Sequence, residues 1–260
     1  MRRKQSGVLL CLLFWSVLGL SGCYEPLPPP QMVDTTPSSL LILPGQYVIS
    51  GRSVRNRPIV SQVFGSGQDV TFILATIHGN EPAGRRLVRR LGRQLDRQPE
   101  LLAGRTVVLL STANPDGLVD QIRYNARGVD INRNFATANR RDGEGGGPRA
   151  LSEPEARIIE QLVRQYEPDR IVSVHQPLAC VDYDGPAESL AAHMANHCRL
   201  PVRKLGAKPG SLGSYAGETL DIPIVTLELP ADASVQGTER LWRQYGRALL
   251  AAIVYPDGAP

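Results

Sequence analysis

Apolar residues along this chain follow two rhythms. Short unbroken runs, VTFILATI at 70–77, RTVVLLST at 105–112, DRIVSVH at 169–175 and IPIVTLEL at 222–229, are bounded by turn-forming or polar residues. Between them, apolar positions recur every three or four residues at 83–97, 151–166, 187–199 and 238–254. The first rhythm predicts strands buried on both faces, and the second predicts amphipathic helices. YVIS and IVSQVF, flanking a polar turn at Arg55-Asn56, predict a hairpin over 46–64. Alternating strands and helices imply an α/β fold, a single three-layer α/β/α domain with a mixed, mostly parallel central sheet.

The expected helix at 151–166 has a marked start. Ser152 is placed to cap it, Glu155 to complete a capping box, and Pro154 sits where a lost N–H costs nothing. Thr238 is placed to cap the last helix. Residues 136–150 (ATANRRDGEGGGPRA) break the pattern as a charged, glycine-rich loop, either a surface insertion or a wall of a cleft.

The chain opens differently. Met1-Arg2-Arg3-Lys4 is cationic, residues 7–20 are an apolar run too short to span a membrane comfortably, and Leu20-Ser21-Gly22-Cys23 follows. Residues 1–22 resemble the signal peptide of a bacterial lipoprotein, which would make Cys23 the lipidated N-terminus. An ordinary cleaved signal with an incidental cysteine is the plainer alternative. By the same resemblance, Tyr24 after the cysteine points to the periplasmic side of a Gram-negative outer membrane. Residues 23–39, rich in proline, then form a tether, and the folded domain is expected over 40–260.

Composition narrows the picture only slightly. The 260 residues suffice for one domain with a substantial core. Loss of residues 1–22 would take three positive charges from a formal +4, leaving 238 residues at +1, so the charge balance gives no reason to expect a nucleic-acid partner. An oxidising compartment would permit a disulfide between Cys180 and Cys198; two separate buried thiols fit the sequence nearly as well.

Candidate chemistry gathers at strand ends. Of four histidines, His78 and His175 each terminate a strongly apolar strand, and Glu81 lies three residues after His78. The carboxyl edge of an open α/β sheet is where ligands bind, and a hydrolytic zinc site takes three protein ligands and leaves one position open. Either histidine alone would be a strand-end polar residue. His193 and His197, four apart beside Cys198, offer a second candidate metal pair, although no glutamate follows His193 as in a zinc-protease helix. Glu228 interrupts an apolar strand. It either faces solvent with Thr226 or serves as a base, because a carboxylate placed there needs a partner or a task. The intervening segment NPDGLVDQIRYNARGVDINRNF (114–135) carries Arg123, Arg127 and Arg133, groups suited to carboxylates and oxyanions.

Taken in order, GRSVRNRPI, HGNE, NPDG, RYN, GVDINRNF, ALSEPEA, SVH and TLELP resemble the motifs of the zinc carboxypeptidase family, with Asn56 replacing a glycine. The resemblance implies one Zn²⁺ held by His78, Glu81 and His175, with Glu228 as general base and Arg123 as oxyanion stabiliser. Asn132 and Arg133 become the clamp for a substrate carboxylate, and Asp130 becomes the partner of a ligand histidine. Arg127 competes with Arg123 for the oxyanion role. The mobile tyrosine of the pancreatic branch is missing from VRKLGAKPGSLGSY, so Tyr183 or Tyr215 is a candidate substitute in substrate binding.

HQPLACVDYDGP and GSLGSYAGETLDIPIVTLELP are similar to the murein peptide amidase branch. That likeness implies hydrolysis of the γ-D-glutamyl–meso-diaminopimelate bond of a murein peptide, with the membrane reached through lipid on Cys23. The far end of diaminopimelate would need polar or acidic company, for which Asp182, Asp184 and Glu144 are candidates. Two other activities share the ligand set: a general metallocarboxypeptidase, and a deacylase of N-acyl amino acids. A non-catalytic cell-wall-binding lipoprotein is the third alternative.

Overall fold

The computed structural model describes residues 45–143 and 145–256. The expected signal at 1–22, Cys23, the tether at 23–39, the domain start near Leu40, and Glu144 lie outside the described residues.

Seven strands form one sheet: β1 (Gln46–Arg52), β2 (Pro58–Gly65), β3 (Asp69–Ala75), β4 (Arg105–Leu110), β5 (Arg170–His175), β6 (Leu178–Asp184) and β7 (Ile224–Pro230). Their spatial order is β1-β2-β4-β3-β5-β7-β6. The central β4, β3, β5 and β7 run parallel. The β1-β2 hairpin on one flank and β6 on the other are antiparallel. The sheet is mixed, and its parallel part, which the alternating pattern requires, is the buried middle.

Helices cover both faces: α1 (Ala83–Arg97), α2 (Pro115–Asp120), α3 (Pro154–Tyr166), α4 (Glu188–Ala195), α5 (Thr238–Leu241) and α6 (Arg247–Val254). Strand β3 shows why two layers are needed. Its alternate side chains part company, Ile73 and Ala75 packing with α1, α4 and α6, Phe72 and Leu74 with α3. A strand apolar on both faces can satisfy both only between two layers.

Two local expectations are corrected. Ser152 does not cap α3. The cap position is Glu153, with no side-chain cap bond, and Ser152 Oγ instead accepts from Asn134 Nδ2 at 2.9 Å. A long-range partner has outcompeted the local one, and Glu155 is likewise diverted, accepting from Val54 N–H and Asn125 Nδ2. Pro154 does occupy the first turn. Thr238 is the first residue of α5, after a Gly237 cap, while the helix foreseen at 238–254 runs unbroken and widens into a π-helical turn at Trp242–Gly246. Strand β6 was not foreseen. Cys180 and Cys198 are both free, buried thiols.

Leu74 is fully buried beneath α3. Leu74→Ala should lower unfolding free energy by about 2–5 kcal/mol, read as a shifted midpoint in urea with the slope unchanged.

Candidate metal centre and substrate pocket

The parallel strands β3, β5 and β7 end side by side, and their register fixes what meets at the carboxyl edge. His175 and Glu228 are direct partners across β5 and β7. His78 follows β3 by three residues in a tight loop that leads into α1. This loop is pressed against the start of α2. A side-chain carbon at Gly79 would lie 1.9 Å from the Gly117 carbonyl carbon, so neither HGNE nor NPDG tolerates bulk there. Asn114 ties the same corner together: Oδ1 accepts from Gly117 N–H at 2.8 Å, while Nδ2 donates to the Ile77 and Tyr124 carbonyls.

Glu81 joins the two histidines. One carboxylate oxygen lies 2.7 Å from His78 Nδ1 and the other 2.9 Å from His175 Nδ1. The two Nδ1 atoms are themselves 3.2 Å apart. Such close approach of two imidazole nitrogens and a carboxylate, all buried, suits a shared cation. Potential ligand atoms of these three residues all lie within 4.8 Å of one another, the one such group among the described residues. A nitrogen–oxygen donor set of two histidines and one glutamate is chemistry that fits zinc. The second pair, His193 and His197, lies ring to ring at 5.4 Å and finds no third ligand among the described residues.

Asp130 stands behind this group. Its Oδ1 lies 3.2 Å from His78 Nε2, and its Oδ2 accepts from Arg123 Nε at 2.9 Å. One carboxylate thus orients both a candidate ligand and the guanidinium beside it, whose Nη1 is 3.4 Å from His78 Nδ1. Burial alone would raise the Asp130 and Glu81 carboxyls. The His78 and His175 partners outweigh burial, holding Glu81 down at about 2 and Asp130 well below the usual carboxylate range. Burial opposes a charged His78, yet bonds to Asp130 and Glu81 raise its pKa. Glu228 lacks comparable partners, and burial pushes it upward.

A cavity of about 260 Å³ opens over these groups, lined by His78, Glu81, His175, Arg123, Asn132, Arg133 and Glu228 among others. The two readings of Glu228 are thereby separated. Val225, Leu227 and Leu229 enter the core, while Thr226 and Glu228 face the cavity. Asn132 Oδ1 accepts from Leu212 N–H at 2.8 Å, which leaves its amide N–H groups as donors. Arg133 is braced from behind by the glycine-rich loop, where a side chain at Gly146 would crowd the Arg133 carbonyl. None of the described residues of that loop lines the cavity.

Two expected substrate contacts lie elsewhere. Arg127 reaches Glu153 at 3.4 Å and is not among the cavity residues, because Asn125 folds its segment back toward α3. Tyr215 is buried, stacks on Phe135 at 5.7 Å and has its hydroxyl near Glu160. Tyr183 is also buried, on the core face of β6. The cavity does include Asp182 and Asp184, two of the three acids considered for the far end of a substrate. It also includes Thr226 beside Glu228, and Gln176 and Lys208, which sequence reasoning passed over. Gln176 donates its backbone N–H to Glu81 and accepts from Ala83 N–H, joining β5 to α1 at the site. A larger groove of about 590 Å³ beside α1, lined by Arg85, Arg89 and Arg93, lacks any comparable set of donors.

An α/β/α domain with two histidines, a glutamate and a second carboxylate at its sheet edge has the layout of a metallohydrolase. The sequence profile of the Zinc carboxypeptidase family matches residues 45–185, and this chain belongs to that family. It is 32% identical over 209 residues to murein peptide amidase A of Escherichia coli K12, covering 73% of this chain and 84% of that protein. Its counterpart in Vibrio campbellii is 31% identical over 227 residues, 78% of this chain and 86% of that one. The crystal structure of murein-tripeptide amidase MpaA from Escherichia coli O157 superimposes with a TM-score of 0.68 at 25% identity, covering 85% of this chain and 96% of that one. Carboxypeptidase A from Helicoverpa armigera shares the fold at 18% identity and a TM-score of 0.63, covering 82% and 70% respectively. The chain is a hydrolase of the metallopeptidase class.

Asp130→Asn should weaken metal affinity by about 10–100-fold, measured by competition with a chromogenic chelator. His175→Ala should abolish stoichiometric metal uptake in the same assay.

Proposed function

We propose that this chain is a zinc-dependent amidase hydrolysing the γ-D-glutamyl–meso-diaminopimelate bond of murein peptides. The observation that carries this reading is the convergence, in one small cavity, of the His78–Glu81–His175 donors, Glu228, and the carboxylate-binding pair Asn132 and Arg133. Similarity to murein peptide amidases over most of the chain supports the choice of bond.

Each residue has a definable task. The Arg133 guanidinium and the Asn132 amide N–H groups hold the α-carboxylate of the residue to be released, which sets the amide beside Glu228. Zinc, when held by His78, Glu81 and His175, supplies Lewis acidity toward the carbonyl and makes water a stronger acid. Glu228, raised by burial, takes a proton from the attacking water and returns it to the departing amine. Arg123, fixed by Asp130, places positive charge where the carbonyl oxygen becomes anionic. A cavity of this size admits one residue beyond the cleaved bond, as an enzyme acting at a peptide terminus needs.

The proposed setting is the periplasm, with lipid on Cys23 tethering the domain to the outer membrane near peptidoglycan. Cys23→Ser should move the protein from the membrane to the soluble fraction on cell fractionation; retention in the membrane would contradict lipid anchoring at that residue.

The deciding assay compares L-Ala-γ-D-Glu-meso-diaminopimelate with α-linked dipeptides and N-acyl amino acids, using the zinc-loaded protein. Cleavage of the γ-linked tripeptide in preference to the others is expected, and preference for an α-linked substrate would overturn the proposed bond. Glu228→Gln should keep its zinc and lose roughly 10²–10⁴-fold in kcat. In the wild type, kcat/KM should fall as pH drops through the Glu228 pKa, with an acid limb displaced upward from that of an ordinary glutamate.

A further inference from the structure

One wall of the cavity is built by β6, whose side chains alternate between core and cavity. Val181 and Tyr183 enter the core, while Asp182 and Asp184 line the cavity. Register measures their distance from the chemistry. Asp182 pairs with Thr226 and Asp184 with Ile224, two and four residues down β7 from Glu228. At about 3.3 Å per residue these are steps of roughly 7 and 13 Å along the strand, each shortened by the reach of an aspartate side chain.

The two acids are not equivalent. Asp182 Oδ1 accepts from Leu205 N–H at 2.7 Å, which pins the segment carrying Lys204 and Lys208. Asp184 is only 7% exposed, yet its carboxylate makes no hydrogen bond or ion pair among the described residues. A buried acid left without a partner is costly unless something else supplies one. The backbone is cleared to admit it: a side-chain carbon at Gly213 would sit 2.1 Å from Asp184 Oδ2, although the Gly213 backbone is ordinary for any residue, at φ −59°.

Positive charge lies at the mouth. Lys204 is engaged over the Tyr183 ring at 5.1 Å, whereas Lys208 lines the cavity and has no ion pair among the described residues. Burial, then the charges of Asp182 and Glu218, push Asp184 up to about 6, with Lys204 and Lys208 opposing only in part. An acid in that position gains more from a cation brought by substrate than one already paired.

We infer that Asp184 receives an ammonium group on the far end of the residue released by cleavage, and that Lys208 receives a carboxylate on the same end. The inference rests on the reading of this cavity as an amidase site, and it adds the chemical basis of selection. The pocket prefers a diamino acid with a zwitterionic tip over lysine, and lysine over a neutral residue of similar length. Asp184 acts here as a specificity residue, and Asp182 positions the lysine-bearing segment.

The test uses the zinc-loaded protein with two substrate series, γ-D-glutamyl-Xaa and L-alanyl-Xaa, with Xaa as meso-diaminopimelate, lysine or leucine. Linkage preference judges the proposed bond, while the ranking of Xaa within whichever series is cleaved judges the present inference. Asp184→Asn should lower the diaminopimelate-to-leucine ratio of kcat/KM by about ten- to a hundredfold. Lys208→Met should lower the diaminopimelate-to-lysine ratio about two- to fivefold, the smaller effect expected of an exposed cation. Titration calorimetry with free diaminopimelate, lysine and leucine gives the same ranking without turnover, and circular dichroism checks the fold of each variant. A leucine preference in the wild type, or an Asp184→Asn ratio equal to the wild-type ratio, would overturn the assignment.

Discussion

One carboxylate bridging two imidazoles is the constraint around which this molecule is arranged. Glu81 can touch His78 through the loop that begins α1, but it can touch His175 only if β3 and β5 lie side by side in parallel register. The same register across β5 and β7 then brings Glu228 level with His175. Three of these groups, His78, Glu81 and His175, are tolerable at the mouth of an otherwise apolar sheet because each is compensated by another. The order of the sheet and the chemistry of its edge are therefore one problem, solved by a single alignment of strands.

Around that edge, asparagines do much of the fastening. Asn114 holds the α2 corner against the His78 loop, Asn125 reaches Glu153 and Glu155, and Asn134 joins the glycine-rich loop to the start of α3. A carboxamide can donate and accept at once, so a segment without regular structure can bury its backbone groups through it. Asp116 adds a charged link, accepting from Arg55 N–H and Arg57 Nη1 and so tying the outer hairpin to α2. The described residues between α2 and α3 are thereby fastened so that Arg123, Asn132 and Arg133 line one cavity.

The apolar runs made β3, β4, β5 and β7 legible because most of their residues are buried, and α1 was legible because one of its faces is apolar. Strand β6 escaped notice for the opposite reason. Asp182 and Asp184 belong to the cavity, so half of its pattern reads as loop. Glu228 posed the same ambiguity in sequence, and only the neighbouring strands decide which way it faces. Ser152 and Glu155 made a sound local capping signal that distant partners, Asn134 and Asn125, took over. Tyr215 and Arg127 carried suitable chemistry in suitable segments. Packing on Phe135 and pairing with Glu153 placed them elsewhere, and neither contact is visible from spacing along the chain.

The close passage of Gly213 against the Asp184 carboxylate has an evolutionary reading. An acid at one position and the absence of a side chain at the other are two halves of a single requirement, since a methyl group would occupy the space of the oxygen. Descendants of this fold that exchanged the glycine for anything larger would have to surrender or redirect the acid as well. The two positions should thus change in concert across lineages, and a glycine that looks like a mere loop residue is tied to the acid it faces.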